Sequence, residues 1–332
     1  MIRATYELAP ASGAGALVAV AAGGRAAVVD QGEGRVAIEL PAQDWAGNLP
    51  LLLSSLVAGE AGELRRFERC RLVGLDLPAG MLPGPAFPAP PTVAVGAIVK
   101  PALGLSPAEV AAVAAAAARG GASLVKDDEV LGDPPWCPLA ERVAAVAAAL
   151  PAGVAYCANV TGPVESLVDR ARRVVALGAT GVMVNAFASG LDAVRALREA
   201  GLGVPVLAHR AGSGPWARNE RFGASGAVLA RLTRLAGADY VIVGAFGGTL
   251  FDTDAEVHAQ LRAVRDPLPG VPPAVAALGG GLGPATAAAQ VAAAGGTGLV
   301  VLVGSAAYAH PGGLEAGVRA AVEALRGAPA GP

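Results

Sequence analysis

Ser123-Leu124-Val125-Lys126-Asp127-Asp128-Glu129 passes from an apolar run straight into four charged residues. A short apolar run reads as a buried strand. A charged cluster at its C-terminal end is where a (β/α)₈ barrel places its chemistry. The lysine adds a second signal. The chain has 25 Lys plus Arg, and only Lys100 and Lys126 are lysine. Arginine fills nearly every position where any cation serves, so the two remaining lysines mark places that need an amine, the cation that can shed its proton and act as base or nucleophile. A solvated cluster at a helix start is the alternative reading, and the scarcity of lysine argues against it.

Outward from this stretch the pattern is regular. Strand candidates are Val93–Val99, Ser123–Lys126, Val154–Ala158, Gly181–Asn185, Val204–His209, Tyr240–Gly244, Ala274–Leu278 and Leu299–Val303. Alanine-rich helical runs follow them, such as Pro107–Arg119, with proline in its first turn, and Pro163–Leu177. Eight β/α units predict an α/β fold, a (β/α)₈ barrel of the usual ~250 residues. A doubly wound open sheet is the runner-up, but it favours a glycine-rich turn after the first strand, and here that turn is Lys100-Pro101-Ala102. Residues 1–90 lack the alternation. Ile2–Leu8, Arg35–Leu40 and Cys70–Leu77 read as strands and Asn48–Val57 as a helix, which predicts a small α+β (ferredoxin-like) N-terminal domain. Pro78–Pro91, with six prolines and two glycines, reads as a linker into the barrel domain, 91–332.

Composition excludes several classes. Net charge is −2 and charged residues are 16%, so there is no basic face for nucleic acid and no acidic tail. The weakly charged stretch 267–314 is broken by glycine and proline, so no membrane span is expected, and the N-terminus carries no signal-like run. Cys70, Cys137 and Cys157 show no paired spacing and read as free thiols in a reducing compartment. The expectation is a soluble, cytoplasmic protein.

The polar residues gather at strand ends: Lys100, Lys126-Asp127-Asp128-Glu129, Asn159-Val160-Thr161, Asn185, His209-Arg210, Gly279-Gly280-Gly281 and Gly304-Ser305. Residues two apart in a strand point the same way, so Lys126 and Asp128 share a face, and Glu129 joins them only if the strand has turned. Two carboxylates at a barrel mouth suit Mg²⁺. An ammonium has no lone pair for a metal, but a neutral amine that takes up CO₂ becomes a carbamate, which is a carboxylate.

Gly96-Ala97-Ile98-Val99-Lys100-Pro101-Ala102-Leu103-Gly104-Leu105-Ser106, Lys126-Asp127-Asp128-Glu129, Pro138-Leu139-Ala140-Glu141-Arg142, Tyr156-Cys157-Ala158-Asn159-Val160-Thr161-Gly162, Gly181-Val182-Met183-Val184-Asn185, His209-Arg210-Ala211-Gly212 and His310-Pro311-Gly312-Gly313 resemble, in order, the large subunit of RuBisCO and its RuBisCO-like relatives. The resemblance implies that Lys126 is carbamylated and that Asp128 and Glu129 are its fellow Mg²⁺ ligands. It further implies that Lys100 moves protons, that His209 and Arg210 meet substrate hydroxyl and phosphate, and that Gly280, Gly281 and Gly304 offer N–H groups to a phosphate. Asn159 is expected to line the mouth and bind substrate. Glu60 takes the place of an asparagine from the N-terminal domain and is a candidate base. A homodimer with its active site at the subunit interface is implied as well. Departures fall at Ala102, Ile242, Thr249, Gly279, Ser305 and Ala306, positions at which CO₂ fixation uses other residues. The expected activity is therefore the shared first half-reaction, Mg²⁺-dependent enolisation of a small, phosphorylated ketose or keto-sugar acid, as in methionine salvage or sugar-acid breakdown. The alternatives are the carboxylase itself and a non-catalytic metabolite-binding relative.

Overall fold

Each β-branched run anticipated after residue 92 becomes a strand in the computed structural model, which describes residues 1–327 apart from Glu33 and Ala46. The N-terminal unit contributes β1 (Ile2–Ala9), β2 (Ala27–Gly32), β3 (Arg35–Leu40) and β4 (Arg69–Asp76). The barrel is built from β5 (Val93–Ile98), β6 (Leu124–Lys126), β7 (Ala155–Asn159), β8 (Gly181–Asn185), β9 (Val206–His209), β11 (Tyr240–Val243), β12 (Val275–Leu278) and β13 (Leu299–Val303), with β10 (Phe222–Ala224) interposed in sequence. These eight parallel strands close in the order β11-β12-β13-β5-β6-β7-β8-β9. Among the described residues no helix is long and apolar enough to cross a membrane.

The helices follow local rules. Pro107 opens Pro107–Arg119, and Ser106 and Glu109 cap it reciprocally, with the Ser106 N–H donating to Glu109 Oε2 at 2.8 Å. The chain leaves the helix through Gly121 at φ 95°, a left-handed conformation that costs glycine nothing.

Two layers of side chains form the barrel core. Leu124, Cys157, Met183, Leu207, Ile242, Val275, Ala277, Val300 and Leu302 make a buried cluster of their own inside the barrel, while the outward-facing residues join the larger core under the helices. This inner set fixes which residues reach the mouth. Two positions further along the pleat come Lys126, Asn159, Asn185, His209, Gly244, Gly279 and Gly304.

The N-terminal unit runs β-α-β-β-α-β, with Ala14–Ala22 and Leu49–Leu53 as its main helices, and its sheet has the order β4-β1-β3-β2, a ferredoxin-like arrangement. β2 and Ala14–Ala22 were not anticipated. Neither was β10, which comes from beyond β9 yet pairs parallel with β4, Phe222 opposite Cys70. Pro78–Pro91 also differs from a free linker. Leu82 is buried, Gly84 N–H donates to Leu235 O at 2.9 Å, and the N–H groups of Ala86 and Phe87 donate to Asp239 Oδ1 at 2.7 and 2.9 Å. Asp239 is 2% exposed and also accepts from Val206 N–H at 2.8 Å. The segment is thus fastened where β9 and β11 begin, the end of the barrel opposite the mouth.

Candidate active site at the barrel mouth

Lys126 closes β6 fully buried, with Nζ donating to Asp127 O at 2.7 Å. Burial lowers its pKa, and Lys100 adds to this, against the raising effect of Glu129, Asp128 and Asp127. The environment therefore favours the neutral amine more than water does.

The next three residues divide as the pleat dictates. Asp128 is 1% exposed and ion-paired with the Lys100 ammonium, and its Oδ1 accepts from Val130 N–H at 3.1 Å. Asp127 turns the other way, under the helices. Its Oδ2 accepts from Arg142 Nε and Nη2, both at 3.2 Å, and from Asn159 N–H at 2.9 Å, and its Oδ1 accepts from Tyr156 OH at 2.8 Å. Arg142 is wholly buried and also donates to the carbonyls of Cys137 (2.9 Å), Leu131 (3.3 Å) and Gly132 (2.6 Å). One arginine thus ties the loop after β6 to the base of the charged cluster.

Glu129 joins the site because the chain does turn. Its carbonyl accepts from Asn159 Nδ2 at 3.1 Å and Asn185 Nδ2 at 2.8 Å, and Asn159 Nδ2 also reaches Asp128 O at 3.0 Å. These donors hold the main chain while the carboxylate, about a third exposed, lies 3.5 Å from His209 Nε2. Asn159 is fully buried, and its Oδ1 accepts from Thr161 N–H at 3.0 Å. Its amide is engaged within the protein, so it shapes the turn instead of presenting a free group to substrate.

His209 Nδ1 accepts from Ala211 N–H at 3.0 Å, which assigns the ring proton to Nε2. Burial, with Lys126, Arg210 and Lys100, holds its pKa well below 6.5, so at pH 7 it is a neutral donor. Arg210 is placed differently from the expected phosphate contact. Asp252 holds it bidentately, at 2.8 and 3.1 Å, and it stacks over Phe251. An incoming phosphate would have to compete with a carboxylate that is only 2% exposed.

The opposite arc of the mouth carries glycine on three adjacent strands. Gly244 is required by packing, since a Cβ there would lie 2.8 Å from Asp252 Oδ2. Gly279 and Gly304 are not, because a Cβ would find only ordinary contacts, the nearest at 3.7 and 3.6 Å, and neither has a positive φ. Ile242, Leu302 and Ile98 are the side chains nearest these two glycines. Gly280 and Gly281 have φ of 131° and 76° and lie under the loop after β11, where a Cβ on Gly281 would come within 2.6 Å of Thr249. Among the described residues their N–H groups have no acceptor. The covering loop is itself fastened: Phe246 exchanges hydrogen bonds with Gln290 at 2.9 and 2.8 Å, and Thr249 N–H donates to Gly280 O at 3.2 Å.

Glu60 stands exposed at the start of Glu60–Glu63 in the N-terminal unit and makes no ion pair or side-chain hydrogen bond among the described residues. One chain does not bring it to the cluster. Sequence reasoning gave no role to Arg142, Tyr308 or Asp252. Asp127 could have been set apart from its neighbours by alternation alone, but nothing in sequence spacing marks its partner.

The donor set suits a hard divalent cation. Two carboxylates flank an amine biased toward its neutral form, and the buried Asp128 already has a cation on it. With carbamylation, Lys126, Asp128 and Glu129 would supply oxygen ligands alone.

The profile of the ribulose bisphosphate carboxylase large chain, catalytic domain, matches residues 86–331. A ribulose bisphosphate carboxylase-like protein of Allochromatium vinosum is 35% identical over 240 residues, which are 69% of this chain but only 52% of that protein. The chain thus spans about half the length of that relative. The 3-oxo-isoapionate-4-phosphate transcarboxylase/hydrolase of Xanthobacter autotrophicus is 35% identical over 84% of this chain and 73% of its own length. The crystal structure of a rubisco-like protein from Burkholderia fungorum superposes with a TM-score of 0.88 at 27% identity, covering 99% of this chain and 95% of that one. The chain belongs to the RuBisCO large-subunit superfamily and is a RuBisCO-like protein.

Proposed function

We propose that this protein enolises a small ketose or keto-sugar acid in a Mg²⁺-dependent isomerase or lyase reaction. The observation that carries the reading is Lys126, fully buried and biased toward the neutral amine, beside Asp128 and Glu129 at a barrel mouth. Lys126 as carbamate, Asp128 and Glu129 would hold the ion. When bound, Mg²⁺ polarises a carbonyl oxygen and acidifies the neighbouring C–H.

The chain's own groups do the rest. His209 donates from Nε2 to a substrate oxygen and stays neutral while doing so. Lys100, at the rim with its side chain 31% exposed, would move a proton to or from the substrate once its amine leaves Asp128. The N–H groups of Gly280 and Gly281, without an acceptor among the described residues, would hold an anionic end, together with Gly304. In a homodimer, Glu60 of one N-terminal unit would reach the partner's mouth as a second base. Ile242 and Gly279 put aliphatic carbon and no side chain where a carboxylase has polar groups, which supports proton transfer over CO₂ capture. The Xanthobacter relative, named for a phosphorylated oxo-sugar acid, supports the substrate class.

Incubating a panel of phosphorylated and free ketoses and keto-sugar acids in D₂O, with Mg²⁺ and bicarbonate, is expected to give deuterium at a carbon beside the carbonyl, read by proton NMR. The exchange should require both additions. Tight binding of a panel member without exchange would replace this reading with a binding-only protein.

A further inference from the structure

β5 and β6 pair in parallel with Ile98 opposite Lys126. Two residues on, the same register brings Lys100 opposite Asp128, and their side chains form an ion pair. Asp128 is 1% exposed, and a carboxylate so buried requires a partner cation. Lys126 does not provide it, because Nζ is turned to Asp127 O. Lys100 does.

The main chain of Lys100 is held independently of its side chain. Lys100 N–H donates to Tyr308 OH at 2.7 Å, and that hydroxyl donates to Ile98 O at 2.9 Å. The amine itself sits on a flexible four-carbon stem at a rim open to solvent. An ammonium has no lone pair to share with a metal, so a divalent cation and the Lys100 ammonium are alternative partners for the same buried carboxylate.

We propose that Lys100 is the internal competitor of the metal: it occupies Asp128 in the metal-free protein and is displaced into the mouth when a divalent cation binds. The inference rests on the metal-site reading above and gives Lys100 a role in setting metal affinity that is separate from proton transfer.

The test compares Mn²⁺ affinity, by titration calorimetry at saturating bicarbonate, in the wild type, Lys100→Met and Lys100→Arg. Removing the competing charge in Lys100→Met should tighten binding about tenfold, and Lys100→Arg, which keeps a cation in place, should stay near wild type. A crystal structure of the Mn²⁺-loaded wild type should show Lys100 Nζ out of hydrogen-bond range of Asp128. Equal or weaker affinity in Lys100→Met, or a Lys100–Asp128 pair that persists beside bound Mn²⁺, overturns the proposal and leaves the metal site standing. If the wild type binds no Mn²⁺ with bicarbonate present, the metal-site reading fails and the proposal falls with it.

Discussion

Lys126→Met is expected to abolish bicarbonate-dependent Mg²⁺ binding and to reduce substrate deuterium exchange at least about a thousandfold, roughly 4 kcal/mol of transition-state stabilisation. Methionine matches the length of the lysine stem and fills an irregular site well. Lys126 is completely buried with a single hydrogen-bond acceptor, so the apolar replacement removes a desolvation cost while leaving Lys100 on Asp128 and Arg142 on Asp127. The variant should therefore melt within a few degrees of the wild type. Function and fold separate in this one substitution, because chemistry needs the amine and packing does not. Retention of bicarbonate-dependent metal binding by a folded Lys126→Met protein would show that the metal sits elsewhere.

Arg142→Ala should have the largest effect on stability. It leaves Asp127 buried without its cation and orphans three loop carbonyls that Arg142 serves. Breaking a buried pair from one side costs about 3–5 kcal/mol, visible as a lower urea midpoint in tryptophan fluorescence. Replacing the pair with apolar residues, Asp127→Leu with Arg142→Met, should recover part of the loss, because an uncompensated charge is worse than none. A single variant as stable as the wild type would show that Tyr156 OH and Asn159 N–H suffice for Asp127. Since the loop from Asp128 to Cys137 hangs on Arg142, the Arg142→Ala protein should also bind Mg²⁺ weakly wherever it remains folded.

The barrel was legible because its strands are short and aliphatic and its helices carry their own stops. Observed strand ends differ from the expected ones by a residue or two, as with Val206–His209 against Val204–His209, whereas the helix expected over Pro163–Leu177 opens with a 3-10 turn, Val164–Ser166, and is α-helical only over Leu167–Ala176. The mouth was legible because the pleat assigns alternate residues to the lumen, so Lys126, Asn159, Asn185 and His209 follow from the apolar set beneath them. What sequence did not yield are partnerships across distance. Arg210 meets Asp252 from the loop after the following barrel strand, and Asp127 meets Arg142 from a helix on the outer layer. Neither spacing has a periodicity to betray it. β10 has three residues, with Gly223 at φ 82° in the middle, and lacks any strand composition. β2 is an exposed edge strand interrupted by polar residues, too weak a pattern to separate from a turn.

β10 limits how the chain can be divided. A cut after residue 90 looks natural on paper, yet it would take β4 away from Phe222–Ala224, from Arg221 O, which accepts from Cys70 N–H at 2.8 Å, and from Ser225 N–H, which donates to Leu72 O at 2.9 Å. Each piece would carry one half of a hydrogen-bonded edge into solvent, a surface that invites mispairing. The two halves therefore form one inheritable unit. A recombination event or an engineered fusion that transplants the N-terminal sheet must bring the segment around 221–225 with it, or supply a new edge strand.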